Sequence, residues 1–529
     1  MTEPEAPAPT AGLVRAGLLL SAAFLLSRGL GYVRTVVVGT TFGAGPELDA
    51  FFAAFRLPDL IFQIVAAGAM GSALVPVVSG LLAGDERARA RRVVATVADL
   101  LLLALAILAI GAFVAAPALV RILAPGFDEA GLGRTIELTR IMLAAPVLLA
   151  LGAVATSTLN AEGRFTAAAL APIVYNVAII GGAVVLGPSM GVTGLAVGVV
   201  IGALGHVGIQ LAPLARLGYR PIAKPNLDDP AARRVITLLG PRALGLGASQ
   251  LTFIVMTALA SSLGEGAVSA YAIAFAVLQI PIGVLGIPLG TVLLPSISRV
   301  HALGDVKGYV ALVTRSVRVL TFVMVPIAAL GIALAGPIVE LLFGYGRFDT
   351  ADIARTAGTL AAFLFGLPAH AAIAVLARAF YARQDTRTPV TAAVLAVVLN
   401  TTLGVVLVGP LGLPGLAAAI AIAAWVEAAF LLVALGSHVP SFERLEIVRL
   451  LAESIGAGVA AAGAAIATAA VLSGLLAAGS SKASLLAGAG VATAAGWAVY
   501  LAIALALRIP ELPSIVGLVT DQIRRRRRS

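Results

Sequence analysis

The chain has 529 residues, of which 60% are hydrophobic and 12% charged, and its mean hydropathy is +1.04. A soluble domain of that composition could not cover itself with polar groups, so the expected fold class is an all-α polytopic membrane protein. The net charge of +10 reports cytoplasmic loops rather than nucleic acid, and the absence of Cys excludes disulfides, thiolate nucleophiles and thiolate metal sites.

Residues 1–12 are rich in Pro, Ala and Glu and read as a disordered tail, with no basic n-region and cleavage site ahead of the first span. Apolar runs then read as spans near 13–42, 48–81, 92–122, 134–160, 166–187 and 191–215. After a polar stretch come 233–262, 267–298, 309–343, 353–381, 389–409, 412–436, 446–475 and 483–508. At roughly 30–38 residues per span plus loop, the length allows about fourteen helices.

The first two spans carry Arg28, Arg34, Asp49, Arg56 and Asp59. Near a bilayer centre each such charge costs about 2.5–3.5 kcal/mol on insertion scales, so the group needs partners, a wet cavity or a ligand. Asp49, Arg56 and Gln63 recur every seven residues and form one polar stripe, with Asp59 on its edge. Arg28 and Arg34 lie roughly 120° apart around an ideal helix. Gly29 and Gly31 between them allow a bend that would bring both into one space.

Basic residues concentrate in alternate loops: Arg87, Arg89, Arg91 and Arg92; Arg164; Arg216 to Arg234; Arg299 and Lys307; Arg383 and Arg387; Arg444 and Arg449; and Arg524 to Arg528. The opposite loops are nearly bare, which puts both termini in the cytoplasm and requires an even number of spans. GSALVPVVS at residues 71–79 returns as GTVLLPSIS at 290–298, six spans later. Two halves pointing the same way imply a transporter with a site between them. The four His show no ligand spacing, and there is no Walker loop, HExxH or nucleophile elbow, so neither metal nor cofactor is expected.

The segments SRGLGYVR (residues 27–34), FGAGPELDAFFAAFRLPD (42–59), APGF (124–127), GVLGIPLGTVLLPSIS (283–298), LLFGYGRFD (341–349) and FYARQDTRTPV (380–390) together resemble the MurJ/MviN family. Its members are the lipid II flippases of peptidoglycan synthesis, within the multidrug/oligosaccharidyl-lipid/polysaccharide exporter superfamily. The resemblance covers nearly the whole chain. It implies about fourteen helices: an N-lobe at 13–217, a linker at 218–232 and a C-lobe at 233–437. The two lobes surround a central cavity, two further helices at 446–508 form a lipid-tail groove, and a basic tail follows at 509–529. Substrate-binding positions carried over are Ser27, Arg28, Arg34, Asp49 and Arg56; Asp59, Gln63 and Gln279 are further cavity-lining candidates. The sequence departs from the family pattern at Thr35, Phe62, Gln63, Ala67, Phe275, Ala276 and Gln279, which thins the basic ring. The implied partners are lipid II, membrane lipids and the cell-wall synthesis or division machinery, without nucleic acid. Three alternatives stay open: a flippase for another polyprenyl-linked oligosaccharide, a cation-coupled drug exporter, and a non-transporting paralogue or scaffold.

Overall fold

In hydrocarbon each backbone amide must find its partner within its own segment or a closed sheet. In the computed structural model every regular element among the described residues is helical. The structure describes residues 11–65, 69–220, 225–439, 441–442, 444–475 and 482–513. The first ten residues of the expected tail, Ala67, residues 221–224 of the expected linker and Arg524 to Arg528 lie outside them.

The chain divides into two compact units that meet in sequence at Val268 and Ser269. The first begins with α1 (Ala11–Phe42), α2 (Pro46–Val65), α3 (Ala69–Ala83) and α4 (Arg87–Leu123). It continues with α5 (Glu129–Met142), α6 (Ala144–Ala161) and α7 (Phe165–Gly181), which runs through a π-turn at Gly182–Leu186 into the short α8 (Gly187–Met190). It ends with α9 (Val192–Arg216) and α10 (Pro230–Ser261). Thus α10, expected to open the second lobe, belongs to the first compact unit. Its Ala232 and Val235 share an apolar core with Met70, Leu74, Val93 and Val97. Its N-cap Asp229 takes both oxygens to the Arg89 fork, at 2.9 and 3.0 Å. That bidentate bond holds the Asp229 carboxyl below the usual carboxylate range.

Small residues set the closest approach inside this unit. Gly194, Gly198 and Gly202 recur every four residues, on one side of α9. A Cβ on Gly198 would lie 2.9 Å from the Gly182 Cα, and one on Gly202 2.9 Å from the Tyr175 carbonyl oxygen. Without a hydrophobic drive between helices in lipid, such backbone contact is what packs α9 on α7.

The second unit takes in α11 (Ala267–Pro281) from Ser269 on, a π-turn at Ile282–Gly286, α12 (Ile287–Ala302), α13 (Val306–Ala333), α14 (Ala335–Phe343), α15 (Thr350–Leu364) and α16 (Leu367–Ala382). It closes with α17 (Arg387–His438), α18 (Arg444–Leu475) and α19 (Lys482–Ala506). α17 is two helices meeting at Gly412, whose φ of 60° and ψ of −138° no helix admits. α18 and α19 dock on α13 through Phe322, Leu330, Ala461 and Tyr500, and the Tyr500 hydroxyl donates to the Phe322 carbonyl at 2.8 Å. Arg318 of α13 bridges Glu446 at the start of α18 and Glu511 beyond α19.

Among the described residues nine helices are long and apolar enough to cross a membrane, ten if the bent pair α15–α16 is one span. The expected fourteen is not reached by that criterion. α2 carries Glu47, Asp49, Arg56 and Asp59 within twenty residues, and α17 counts once although Gly412 divides it.

The sequence repeat extends into backbone conformation. Gly191 (φ 59°, ψ −143°) matches Gly412, and Gly163 (φ 70°) matches Gln384 (φ 60°). Asp128 and Asp349 each cap a helix by accepting from the amide three residues on. All three pairs share one offset of 221 (412 − 191, 384 − 163, 349 − 128).

The glycine contact gives a test. Gly198→Val forces the α7 and α9 backbones apart and should cost about 1–3 kcal/mol of stability, the usual penalty for overpacking. Gly208→Val on the same helix, where a Cβ meets nothing within 4 Å, should leave thermal unfolding of the purified protein nearly unchanged.

Candidate functional site

α1 runs as one helix through Gly29 and Gly31, and Arg28 and Arg34 reach different surroundings. The Arg28 guanidinium lies over the Phe24 ring, 5.3 Å from its centroid. Arg34 interacts with Asp59 of α2 and with Tyr175 of α7. Asp59 in turn interacts with Arg56, one turn before it, and with the Gln63 side chain, one turn after. The Arg56 Nε donates to the Thr257 hydroxyl of α10 at 3.1 Å, with its guanidinium 5.3 Å from the Phe253 ring centroid. One carboxylate therefore lies within electrostatic reach of two guanidinium groups, in a cluster drawn from α1, α2, α7 and α10. Beside it, the Asn176 amide of α7 donates to the Ser27 carbonyl at 3.5 Å and to the Pro172 carbonyl at 2.9 Å.

Asp49 stands apart from this cluster. Ten residues before Asp59, it lies roughly 15 Å away along an ideal helix. It is 1% exposed and accepts the Gly266 amide at 2.6 Å. Gly126 of the α4–α5 loop lies against the Ser261–Ser262 backbone, where a Cβ would collide, and its amide donates to the Ser261 hydroxyl at 3.1 Å. A cavity of about 450 Å³ lies here, lined by Glu47, Asp49, Asp128, Arg134, Ser261 and Glu265 among others. The polar stripe of α2 is thus partly a docking stripe: Asp49 and Arg56 both bond to α10 or the loop that follows it.

The departures from the family pattern have local explanations. Phe62 packs with Leu105, Val147 and Ala150 in an apolar cluster. Phe275 lies against Phe363 at 5.5 Å between ring centroids. Gln279 is exposed on α11 in the second unit, with Ala276 half-buried one turn before it. In that unit α13, α14, α18 and α19 enclose a largely apolar cavity of about 570 Å³, lined by Leu334, Ile466, Ala469 and Leu485 among others. At its rim Lys482 pairs with Glu340 at 3.3 Å and lies 5.1 Å from the Tyr345 ring centroid.

Tyr175, Phe253 and Thr257 were not legible as members of the charged cluster. The only signal was a polar Tyr175-Asn176 pair within an apolar run. Among the described residues no three His, Cys, Asp or Glu could hold a metal ion.

Repeated helical units, nine or ten membrane-length apolar helices among the described residues and guanidinium groups clustered between α1, α2, α7 and α10 are the features of a multi-span membrane transporter. The family profile described as "Lipid II flippase MurJ" matches residues 38–487. The Burkholderia cenocepacia lipid II flippase MurJ is 32% identical over 462 residues, covering 85% of this chain and 89% of that protein. The probable lipid II flippase MurJ of Rhizobium meliloti is 33% identical over 452 residues, covering 82% and 83%. The chain belongs to the lipid II flippase MurJ family. A solved lipid II flippase MurJ in an inward closed conformation shares the fold, with a TM-score of 0.76 at 22% identity over 93% of this chain and 99% of that one. An inward-facing MATE family transporter of the MOP superfamily follows at 0.65 and 17%, covering 78% and 95%.

The Asp49 contact predicts a structural phenotype. Asp49→Ala leaves the buried Gly266 amide without its charged acceptor and should lower stability by about 1.5–3 kcal/mol, while Asp49→Asn, which keeps an acceptor oxygen, should lose less. Thermal unfolding of the purified variants measures both. Arg28→Ala, whose only described contact is the Phe24 ring, should unfold close to wild type.

Proposed function

We propose that this chain flips lipid II, the undecaprenyl-diphosphate-linked peptidoglycan precursor, from the inner to the outer leaflet of the cytoplasmic membrane by alternating access. Family membership supports the substrate, and the cluster of Arg34, Asp59 and Arg56 carries the mechanism. The headgroup cannot cross hydrocarbon unaided. Planar guanidinium forks take its diphosphate through charge-assisted hydrogen bonds while the prenyl tail stays in an apolar setting. Arg34 and Arg56 against Asp59 leave a net positive charge, which complements the anionic diphosphate. In the empty state Asp59 compensates the arginines, which would otherwise be costly bare charges. Ser27 and Gln63 add neutral hydrogen-bonding groups beside them. The tail lies along α18 and α19, where the apolar cavity offers a matching lining. The protein acts as a transporter without a catalytic step, with both termini cytoplasmic, and supplies its product to the cell-wall synthesis or division machinery.

The test is rescue of cells depleted of their lipid II flippase, with lipid II read on the outer leaflet. Losing one charge-assisted hydrogen bond of about 1.5–3 kcal/mol weakens binding roughly tenfold to a hundredfold. Arg34→Ala and Arg56→Ala should each abolish or nearly abolish flipping with the protein still in the membrane, and Arg28→Ala should impair it. Arg34→Lys should rescue poorly, since a point charge replaces a fork. Arg87→Ala, at a side chain 58% exposed, should be near neutral. Variants at Arg34 and Arg56 that match the wild-type rate would refute the proposed headgroup contacts.

Orientation is tested separately. The chain has no Cys, so single cysteines report cleanly. Ser189→Cys should react with an impermeant maleimide in intact cells, and Asp85→Cys only after lysis. The reverse pattern rules out cytoplasmic termini.

A further inference from the structure

Arg378 of α16 has no place in the cluster described above. It is half-buried, its Nη1 donates to the Ala374 carbonyl one turn back, and its only electrostatic neighbour among the described residues is Tyr381. Among the described residues no carboxylate pairs with it. Its guanidinium lies against Gly290 of α12, where a Cβ would sit 2.6 Å from Cζ. An arginine near a helix end ordinarily snorkels toward that end. This one turns the other way, toward the N-terminus of its helix and away from Arg383 and Arg387.

The internal repeat shows that the fold does not require a charge here. α3 packs on α6 in the first unit as α12 packs on α16 in the second. Gly71 opens GSALVPVVS as Gly290 opens GTVLLPSIS, and a Cβ on Gly71 would lie 3.9 Å from the Ser157 hydroxyl. Ser157 and Arg378 are separated by the same 221 positions as the matched turns (378 − 157). Ser157 donates to Ala153 at 2.8 Å, and Ala153 is the counterpart of Ala374 (374 − 153 = 221). Glycine, facing residue and backbone acceptor all correspond. A buried hydroxyl completes the contact in one unit, and a half-buried guanidinium with donors to spare stands in its place in the other.

We propose that Arg378, seated against Gly290, is an anion-binding residue of the second unit that takes the phosphate of a membrane lipid. The chemistry is a guanidinium fork on a phosphate oxygen pair, supplied either by the diphosphate of the transported prenyl lipid or by a bilayer phospholipid. Only the first source rests on the flippase reading above.

The full-length protein in detergent is titrated with undecaprenyl diphosphate and with phosphatidylglycerol, using undecaprenol and dioleoylglycerol as phosphate-free counterparts. Arg378→Ser installs the first unit's own solution, so it should fold with an unchanged melting temperature. It should bind at least one phosphate-bearing lipid about tenfold more weakly than wild type, with binding of the phosphate-free lipids unaltered. Gly290→Ala, which displaces the guanidinium but keeps its charge, should reproduce the loss even where Arg378→Ser proves unstable. Loss confined to undecaprenyl diphosphate assigns the site to the transported lipid; loss confined to phosphatidylglycerol assigns it to the bilayer, and holds whether or not the protein flips lipid II. Unchanged affinity for both phosphate lipids in both variants, or equal loss for the phosphate-free lipids, overturns the proposal.

Discussion

A charge inside an apolar span must be compensated, and much of the first unit follows from how this is done. Asp59 lies within electrostatic reach of both Arg34 and Arg56, with Gln63 and Tyr175 beside it. The arrangement requires α1, α2 and α7 to meet, and the Arg56–Thr257 bond adds α10. Removing a single member would leave an uncompensated ion in a poorly solvating medium, which is far more damaging than losing an exposed pair. The cluster is therefore a packing constraint on the first unit.

Close backbone approach is the second determinant. Gly182, Gly198 and Gly202 let α7 and α9 touch at the main chain, and Gly126 lets the α4–α5 loop rest on the end of α10. Asp49 then fastens the following loop through the Gly266 amide. In a chain that is apolar almost everywhere, hydrophobicity distinguishes no helix pair from another. Shape at small residues and a few directed hydrogen bonds supply the specificity.

This explains what could be read from the sequence and what could not. Hydropathy located the apolar segments because that signal is local. The break between the spans expected at 389–409 and 412–436 was visible from its Gly and Pro residues, and Gly412 does adopt a conformation reserved for glycine. Helical spacing put Asp49 and Arg56 on one face but could not say which helix that face meets. It meets α10, assigned from the sequence to the other lobe. The bond from the Gly266 amide to Asp49 was not legible, because a backbone partner leaves no trace in side-chain patterns. Arg378 carries no signal of its own in the sequence and stands out only beside its counterpart Ser157. The repeat was read from GSALVPVVS and GTVLLPSIS and the turns ahead of them, FGAGPELDA and LGEGAVSA; it also runs through Phe127-Asp128 and Phe348-Asp349, whereas the conformational match of Gly163 with Gln384 has no shared residue to reveal it.

The break between α13 and α14 at Leu334 records how the two copies stayed in phase. The N-cap positions Glu86 and Asp305 differ by 219 (305 − 86), Pro117 and Pro337 by 220 (337 − 117), and Asp128 and Asp349 by 221 (349 − 128). The second copy is thus one residue longer between Asp305 and Pro337, and one longer again before Asp349. Within an unbroken helix each extra residue turns everything beyond it by about 100°, carrying an inward face toward lipid. α4 needs no correction and runs whole from Arg87 to Leu123. Its counterpart departs from helical geometry at Leu334 (φ −112°, ψ 20°), inside the interval that holds the first extra residue. The second falls near the α14–α15 loop, where a change of length rotates nothing. Helix interruptions in this architecture can thus be scars of length change, placed where they restore the facing of the segment that follows.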